Sequence, residues 1–255
     1  MSETIFHAQV NIPGAAPLHE VSAAEFRKVV ENRRSIRVYD GTPVPENVMR
    51  DCLDIALLAP NSSNLQPWEF YWVRSPEKKA KLVEYCFSQN AARTAAELVV
   101  AVARIDTIER NRRQMLAAFE AGGDTPRWAK DYYGKLVRIA YAKGPLSVLA
   151  PFKWLGFSLA GLFKVVPREP LGKSDLQLWA AKTTALGCEN FMLAAASHGF
   201  DTCPMEGLDS KRVKKLLGLP RSAIVVMGIS VGKRKPEGAY GPRMRFPKEQ
   251  FVKEV

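Results

Sequence analysis

The chain is short of the residues that announce metal or nucleophile chemistry. Its 255 residues include four cysteines and three histidines. Cys52, Cys86, Cys188 and Cys203 are scattered, with no C-x-x-C pair and no histidine at ligand spacing. This excludes the common zinc and iron–sulfur frameworks and points to a reducing compartment. His7, His19 and His198 stand apart, and no Ser-His-Asp order can be assembled around them. His198 falls at an expected helix end, where a structural role facing the dipole is the simplest reading. Neither G-x-G-x-x-G nor G-x-x-x-x-G-K-[ST] occurs, so the usual nucleotide cradles are absent. The first ten residues include Glu3 and no signal-like apolar run, which leads to an expected cytoplasmic location. A clean apolar run of about 20 residues, as a membrane span needs, is missing too. In Leu146–Val166 the charges of Lys153 and Lys164 leave only Trp154–Phe163 uninterrupted. That length suits a buried or partner-covered helix, with a lid, a dimer contact or a membrane-surface contact as the other readings.

What is present describes an ordinary globular chain, 47% hydrophobic and 25% charged. Basic residues outnumber acidic ones by 37 to 26, a net charge of +11. Such a balance admits phosphorylated ligands, nucleic acid or an anionic membrane surface as partners, and solubility alone also accounts for it. Residues 1–20 read as an extended lead-in, and residues 21–255 as a single α+β domain without repeats or linkers. Helices are expected from Ser22 to Asn32, Pro45 to Ala59, Pro76 to Phe87 and Lys173 to His198. Glu69–Arg74, Leu98–Ala103 and Ser222–Val231 read as strands, the last two buried on both faces. The long Lys173–His198 helix is rich in Ala, Gly and Ser, which implies close approach to another helix. The stretch from Thr107 to about Lys143 is a basic and aromatic helical region broken near Gly122–Pro126.

Four short segments carry chemistry. Arg33-Arg34-Ser35-Ile36-Arg37 places three guanidiniums and a hydroxyl within five residues, a set suited to a phosphate. Ala59-Pro60-Asn61-Ser62-Ser63-Asn64-Leu65-Gln66-Pro67-Trp68 crowds amides and hydroxyls into one loop, as the edge of a planar heterocycle requires. Pro204-Met205-Glu206-Gly207 follows a helix–turn–strand passage, and Pro242-Arg243-Met244-Arg245 lies in a Pro-, Gly- and Arg-rich C-terminal arm. Singly, these segments also read as a solvated basic turn and ordinary turn chemistry. No paired acids dominate a loop, so a bound cofactor is the natural carrier of any chemistry.

Together and in this order, the four segments resemble the FMN-dependent nitroreductase family over about residues 22–250. The resemblance implies a mixed, mainly antiparallel sheet flanked by helices, in an intertwined homodimer with a C-terminal arm. It implies FMN as bound cofactor, NADH or NADPH as co-substrate, and a flat aromatic or quinone-like acceptor. Carried over by position, Arg33, Arg34, Ser35 and Arg37 would hold the ribityl phosphate and the pyrimidine side of the ring. Pro60, Asn61, Ser62 and Asn64 would come from the other subunit, and the Gln89 amide would face the flavin. Pro204, Met205, Glu206 and Gly207 would lie along the ring near N5, and Arg243 and Arg245 would bind the phosphate. No side chain is assigned as catalytic and none as a metal ligand, because the chemistry is placed at flavin N5. About residues 104–173 the chain departs from compact members, in a region that shapes substrate access in the family. Reductive dehalogenation and flavin fragmentation are the rival activities on the same fold. From other classes come a nucleic-acid-binding module, for which no recognition motif is present, and a membrane-surface protein touching lipid through Leu146–Val166.

Overall fold

A computed structural model describes residues 19–121, 123, 127–141, 149–166, 168–170 and 172–255. The lead-in before residue 19 and residues 146–148 of the apolar segment lie outside these.

Helix α1 (Ala23–Asn32) starts where the Ser22 hydroxyl accepts from the Glu25 backbone N–H at 3.3 Å. Helix α2 (Glu46–Leu57) buries Val48, Met49, Cys52 and Ala56 on one face. Strand β1 (Trp68–Trp72) leads into α3 (Pro76–Tyr85), where Ser75 caps the N-terminus and Pro76 occupies the first turn. A short α4 (Asn90–Arg93) precedes β2 (Glu97–Ala103), whose residues Leu98 to Ala103 are all buried. Helix α5 (Ile108–Ala121) is followed by α6 (Arg127–Asp131), which widens through a π turn at Tyr132–Leu136 into α7 (Val137–Ala140). Then come α8 (Leu149–Ala160), α9 (Lys173–Ser197), β3 (Asp201–Met205), α10 (Ser210–Leu216) and β4 (Ile224–Gly232).

The four strands form one antiparallel sheet in the order β1-β2-β4-β3. Central β2 and β4 are the buried apolar runs seen in the sequence, with Val99 opposite Ile229 and a bulge between Ala101 and Val102. One face packs on α2 and α9 through Met49, Cys52, Ala56, Cys188, Phe191 and Ala195. The other packs on α3 and α10 through Leu82, Cys86 and Val213. The sequence expectation of a mixed sheet is met only by one isolated bridge, in which Ser35 pairs in parallel with Thr202 beside β3.

The close approach foreseen for α9 occurs at Gly187. A Cβ there would lie 3.0 Å from Phe70 Cζ and 3.1 Å from the Ala56 carbonyl, so only glycine lets α2, α9 and β1 meet at this distance.

Of the two readings of the apolar segment, burial within the chain does not hold for its described end: Leu155, Leu159, Leu162, Phe163 and Val165 are exposed by 52, 56, 74, 91 and 102%, which leaves the reading of a partner-covered helix. His198 caps the C-terminus of α9 as expected, and its Nε2 lies 2.6 Å from Asp51 Oδ2 on α2, a structural contact between the two helices.

Candidate functional site

The segment Arg33–Tyr39 runs along the free edge of β3. The Ile36 N–H donates to the Thr202 carbonyl at 3.0 Å, and the Arg37 N–H donates to the Gly238 carbonyl at 2.8 Å. Ile36 and Tyr39 are buried beneath the segment, and Arg37 between them is exposed. The Tyr39 hydroxyl reaches the Ser230 hydroxyl at 2.8 Å, and its burial pushes the phenol well above the ordinary range. At Gly238 a Cβ would collide with the Val38 carbonyl and the Ile36 side chain, which is how closely the C-terminal arm presses on this segment.

The arm and the segment enclose a cavity of about 350 Å³ lined by Arg33, Arg34, Ser35, Arg37, Tyr240, Gly241, Pro242, Arg243, Met244 and Arg245. Five guanidiniums therefore face one small volume. Arg34 donates to the Gly241 carbonyl at 2.6 Å, and Arg243 donates to the Glu31 carbonyl at 2.7 Å and to that of Arg33. Backbone carbonyls position these two side chains without neutralising them. Among the described residues, the one ion pair these five arginines make is Arg33 with Glu189 on α9, at 3.5 Å. Arg243 is held below the usual guanidinium value by desolvation, then by the fields of Arg245, Arg34 and Arg33. A cluster of like charges at such range costs free energy unless an anion sits among them.

Two further sequence-selected sets, Pro204–Gly207 and Gln89, lie at the margin of this cavity. Pro204 and Met205 end β3 a few residues beyond the bridge to Ser35, with Glu206 and Gly207 following. The Cys203 thiol beside them is raised by burial, against the opposing fields of Arg37 and Arg33. The Gln89 side chain donates to the Gly207 carbonyl at 3.2 Å, so the predicted amide lies against the predicted turn. Next to it, Asn90 donates to the Tyr240 hydroxyl at 3.1 Å, and the Arg37 guanidinium stands 5.3 Å from the centre of the Tyr240 ring. The sequence reading did not single out Asn90 or Tyr240. Their only signal was proximity to Gln89 and to the arginine pair of the arm.

The second loop goes elsewhere. Asn64 and Gln66 line a separate cavity of about 240 Å³ with Leu57, Trp68, Arg110, Asn111, Gln114 and Met115. Ser63, Asn64 and Gln66 have positive φ angles of 57, 46 and 43°, a strained set for residues other than glycine. Side chains hold that strain in place. Asn61 Oδ1 accepts from the Gln66 N–H at 2.8 Å, and Asn111 donates to the Leu65 carbonyl at 2.8 Å. Three tyrosines, two in the π turn and one at the end of α7, grip the same loop. Tyr132 meets the Ser63 hydroxyl at 2.8 Å, Tyr133 donates to the Ser63 carbonyl at 3.1 Å, and Tyr141 donates to Ser62 Oγ at 3.2 Å. The region read as an insert is thus the clamp of the loop, a pairing that sequence spacing does not reveal. Pro60 enters the loop and makes no side-chain hydrogen bond.

The fold and the arginine-lined cavity define a protein built to hold an anionic group at the edge of its sheet. The family model described as "Nitroreductase family" matches residues 30–233, and the chain belongs to the nitroreductase family. Among its relatives, a "4-nitrobenzoate reductase" of Nocardioides is 29% identical, covering 86% of this chain and 84% of its own. An "NADH dehydrogenase" of Thermus thermophilus is 27% identical, covering 86% of this chain and 91% of its own. A solved structure from Exiguobacterium sibiricum, named as a nitroreductase in complex with FMN, is 25% identical with a TM-score of 0.67. That likeness spans 90% of this chain and 97% of the other.

Proposed function

We propose that the protein is an FMN-dependent NAD(P)H oxidoreductase acting on nitroaromatic, quinone or similar flat acceptors. The observation that carries this reading is the cavity lined by five guanidiniums and Ser35, of which, among the described residues, Arg33 alone has a carboxylate partner, Glu189. The residues present fit FMN. A phosphate dianion would answer the uncompensated charge of Arg34, Arg243 and Arg245, with Arg33 beside them, through charge-assisted hydrogen bonds. Arg37, backed by Tyr240, is a permanent cation for the electron-rich pyrimidine edge. Bound FMN supplies hydride transfer at N5, which reduced nicotinamide and acceptor use in turn at one face, a ping-pong order.

The chain's own residues bind and orient. Gln89 fixes the Pro204–Gly207 turn through the Gly207 carbonyl. The reading demands no protein acid or base, because solvent can supply the protons that the acceptor takes up in an open cleft. The strained Asn61–Gln66 loop opens on a different cavity of the same chain, which supports a homodimer in which this loop completes the partner's site. Four buried, unpaired cysteines fit a reducing, cytoplasmic setting.

The test is a purified protein with a flavin absorbance spectrum that oxidises NADH or NADPH in the presence of a nitroaromatic or a quinone. Parallel double-reciprocal lines are expected. Intersecting lines overturn the ping-pong order, and a protein that neither retains nor takes up FMN overturns the function.

A further inference from the structure

We propose that α8 and the turn after it form a docking surface for an anionic lipid membrane. The proposal stands apart from the flavin reading, because nothing in it uses the arginine cavity. Its first support is the apolar patch itself. Leu155 and Leu159 on the helix, with Leu162, Phe163 and Val165 beyond it, leave large side chains in water over about three turns. Ile139, at the end of α7, is exposed as well.

The second support is charge. From Tyr132 to Arg168 the sequence holds Lys135, Arg138, Lys143, Lys153, Lys164 and Arg168 and not one Asp or Glu, although Lys135 is paired with Asp131 and Glu169 follows directly. In a chain where acids make up 26 of 255 residues, an acid-free stretch of 37 is a local excess of one sign on top of the net +11. Lys164 and Arg168 are exposed, and the Arg168 guanidinium folds back against Gly161, so a cation borders the apolar patch at the helix C-terminus. Apolar side chains that enter the headgroup boundary, ringed by cations that meet anionic headgroups, are the pattern of an interfacial contact.

Geometry limits the mode of contact. Twelve helical residues rise about 18 Å, short of the roughly 30 Å hydrocarbon core. Among the described residues no helix is long and apolar enough to cross a membrane. The segment would lie in the interface.

The test uses the full-length purified protein, with its flavin if it binds one, sedimented with vesicles. Phosphatidylserine–phosphatidylcholine vesicles should carry it down at low salt and release it at high salt, and pure phosphatidylcholine vesicles should not. Each cation at an anionic surface is worth about fivefold in partitioning. The double variant Lys164→Gln, Arg168→Gln should therefore bind at least tenfold more weakly with the apolar face intact. The variant Leu159→Ser, Leu162→Ser, Phe163→Ser should lose sedimentation while keeping its circular dichroism and its activity on a soluble acceptor. Equal binding to neutral vesicles, or none to anionic ones, overturns the proposal. So does a serine variant that loses the dimer, which makes the patch a contact between copies. A serine variant that keeps vesicle binding and changes acceptor range makes it a lid. A colourless protein that still sediments with anionic vesicles sinks the flavin reading and leaves this one standing.

Discussion

At the scale of single residues, the arginine cavity makes a sharp prediction. Among the described residues Arg245 donates to its own neighbour's carbonyl, Met244, at 2.8 Å, whereas Arg243 ties the arm to the end of α1. Hydrogen bonds to charged groups contribute about 1.5–3 kcal/mol each, and tenfold in affinity is about 1.4 kcal/mol. Replacing both residues by Ala should weaken FMN binding at least tenfold by fluorescence titration. Arg245→Ala alone should weaken it with no change in melting temperature. Unchanged affinity in the double variant would mean that the arm serves solubility. Glu109 offers a second test. Its hydrogen bond with Arg112, then that with Arg113, lowers its carboxyl from 4.5 to about 2. A carboxyl depressed on folding contributes stability that is present above its unfolded value and lost as pH falls through its folded one. The window runs from about pH 4.5 down to about pH 2. Glu109 is half-exposed, so solvent screening keeps the effect below about 1 kcal/mol. Unfolding midpoints of wild type and Glu109→Gln, measured in urea across that window, should converge as pH drops. Parallel curves would show that the pair does not stabilise the fold.

At the scale of elements, the α2–α9 contact depends on Gly187. Gly187→Val forces atoms toward the Ala56 carbonyl and the Phe70 ring, and overpacking of this kind costs about 1–3 kcal/mol. Denaturant unfolding should show that loss, and an unshifted midpoint would mean the helices part without cost. The sequence marked this approach through the small residues of α9, and it marked β2 and β4 through unbroken apolar runs. Local pattern suffices for such elements because helix and strand periods and buried runs are written in consecutive residues. It does not suffice for the end of α8 and the turn after it, whose apolar composition reads as buried or partner-covered although within the chain Leu155, Leu159, Leu162 and Phe163 are exposed. Burial depends on what stands opposite, and composition carries no record of the neighbour. The tyrosines Tyr132, Tyr133 and Tyr141 make the same point, since their grip on Ser62 and Ser63 spans about seventy residues of chain.

At the scale of the whole molecule, the two halves of the proposed flavin site open on different cavities of one chain. Mixed dimers test whether two chains share each site. One variant carries Arg33→Ala, Ser35→Ala and Arg37→Ala, and the other carries Asn61→Ala, Ser62→Ala and Asn64→Ala. Each pure variant should purify nearly colourless. Co-expression should concentrate both lesions in one site of the mixed dimer and leave the other intact, restoring one flavin and its turnover per mixed dimer. Mixed dimers seen by native mass spectrometry that stay as empty as their parents would rule out a shared site.

By itself, the sequence determined the elements that lie in consecutive residues and the chemistry of four short segments: guanidiniums for an anion, amides and hydroxyls for a heterocycle. It could do so because capping, periodicity and side-chain chemistry act over a few residues. Only the tertiary structure decided that Arg243 and Arg245 fold back onto Arg33–Arg37 across two hundred residues, while the Asn61–Asn64 loop turns to another cavity. That choice rests on the edge of β3, where Ile36 bonds to Thr202, and on Gly238, whose bare backbone lets the arm press against Val38. Hydrogen bonds and close contacts between distant segments decide which donors share a cavity, and no stretch of consecutive residues contains them.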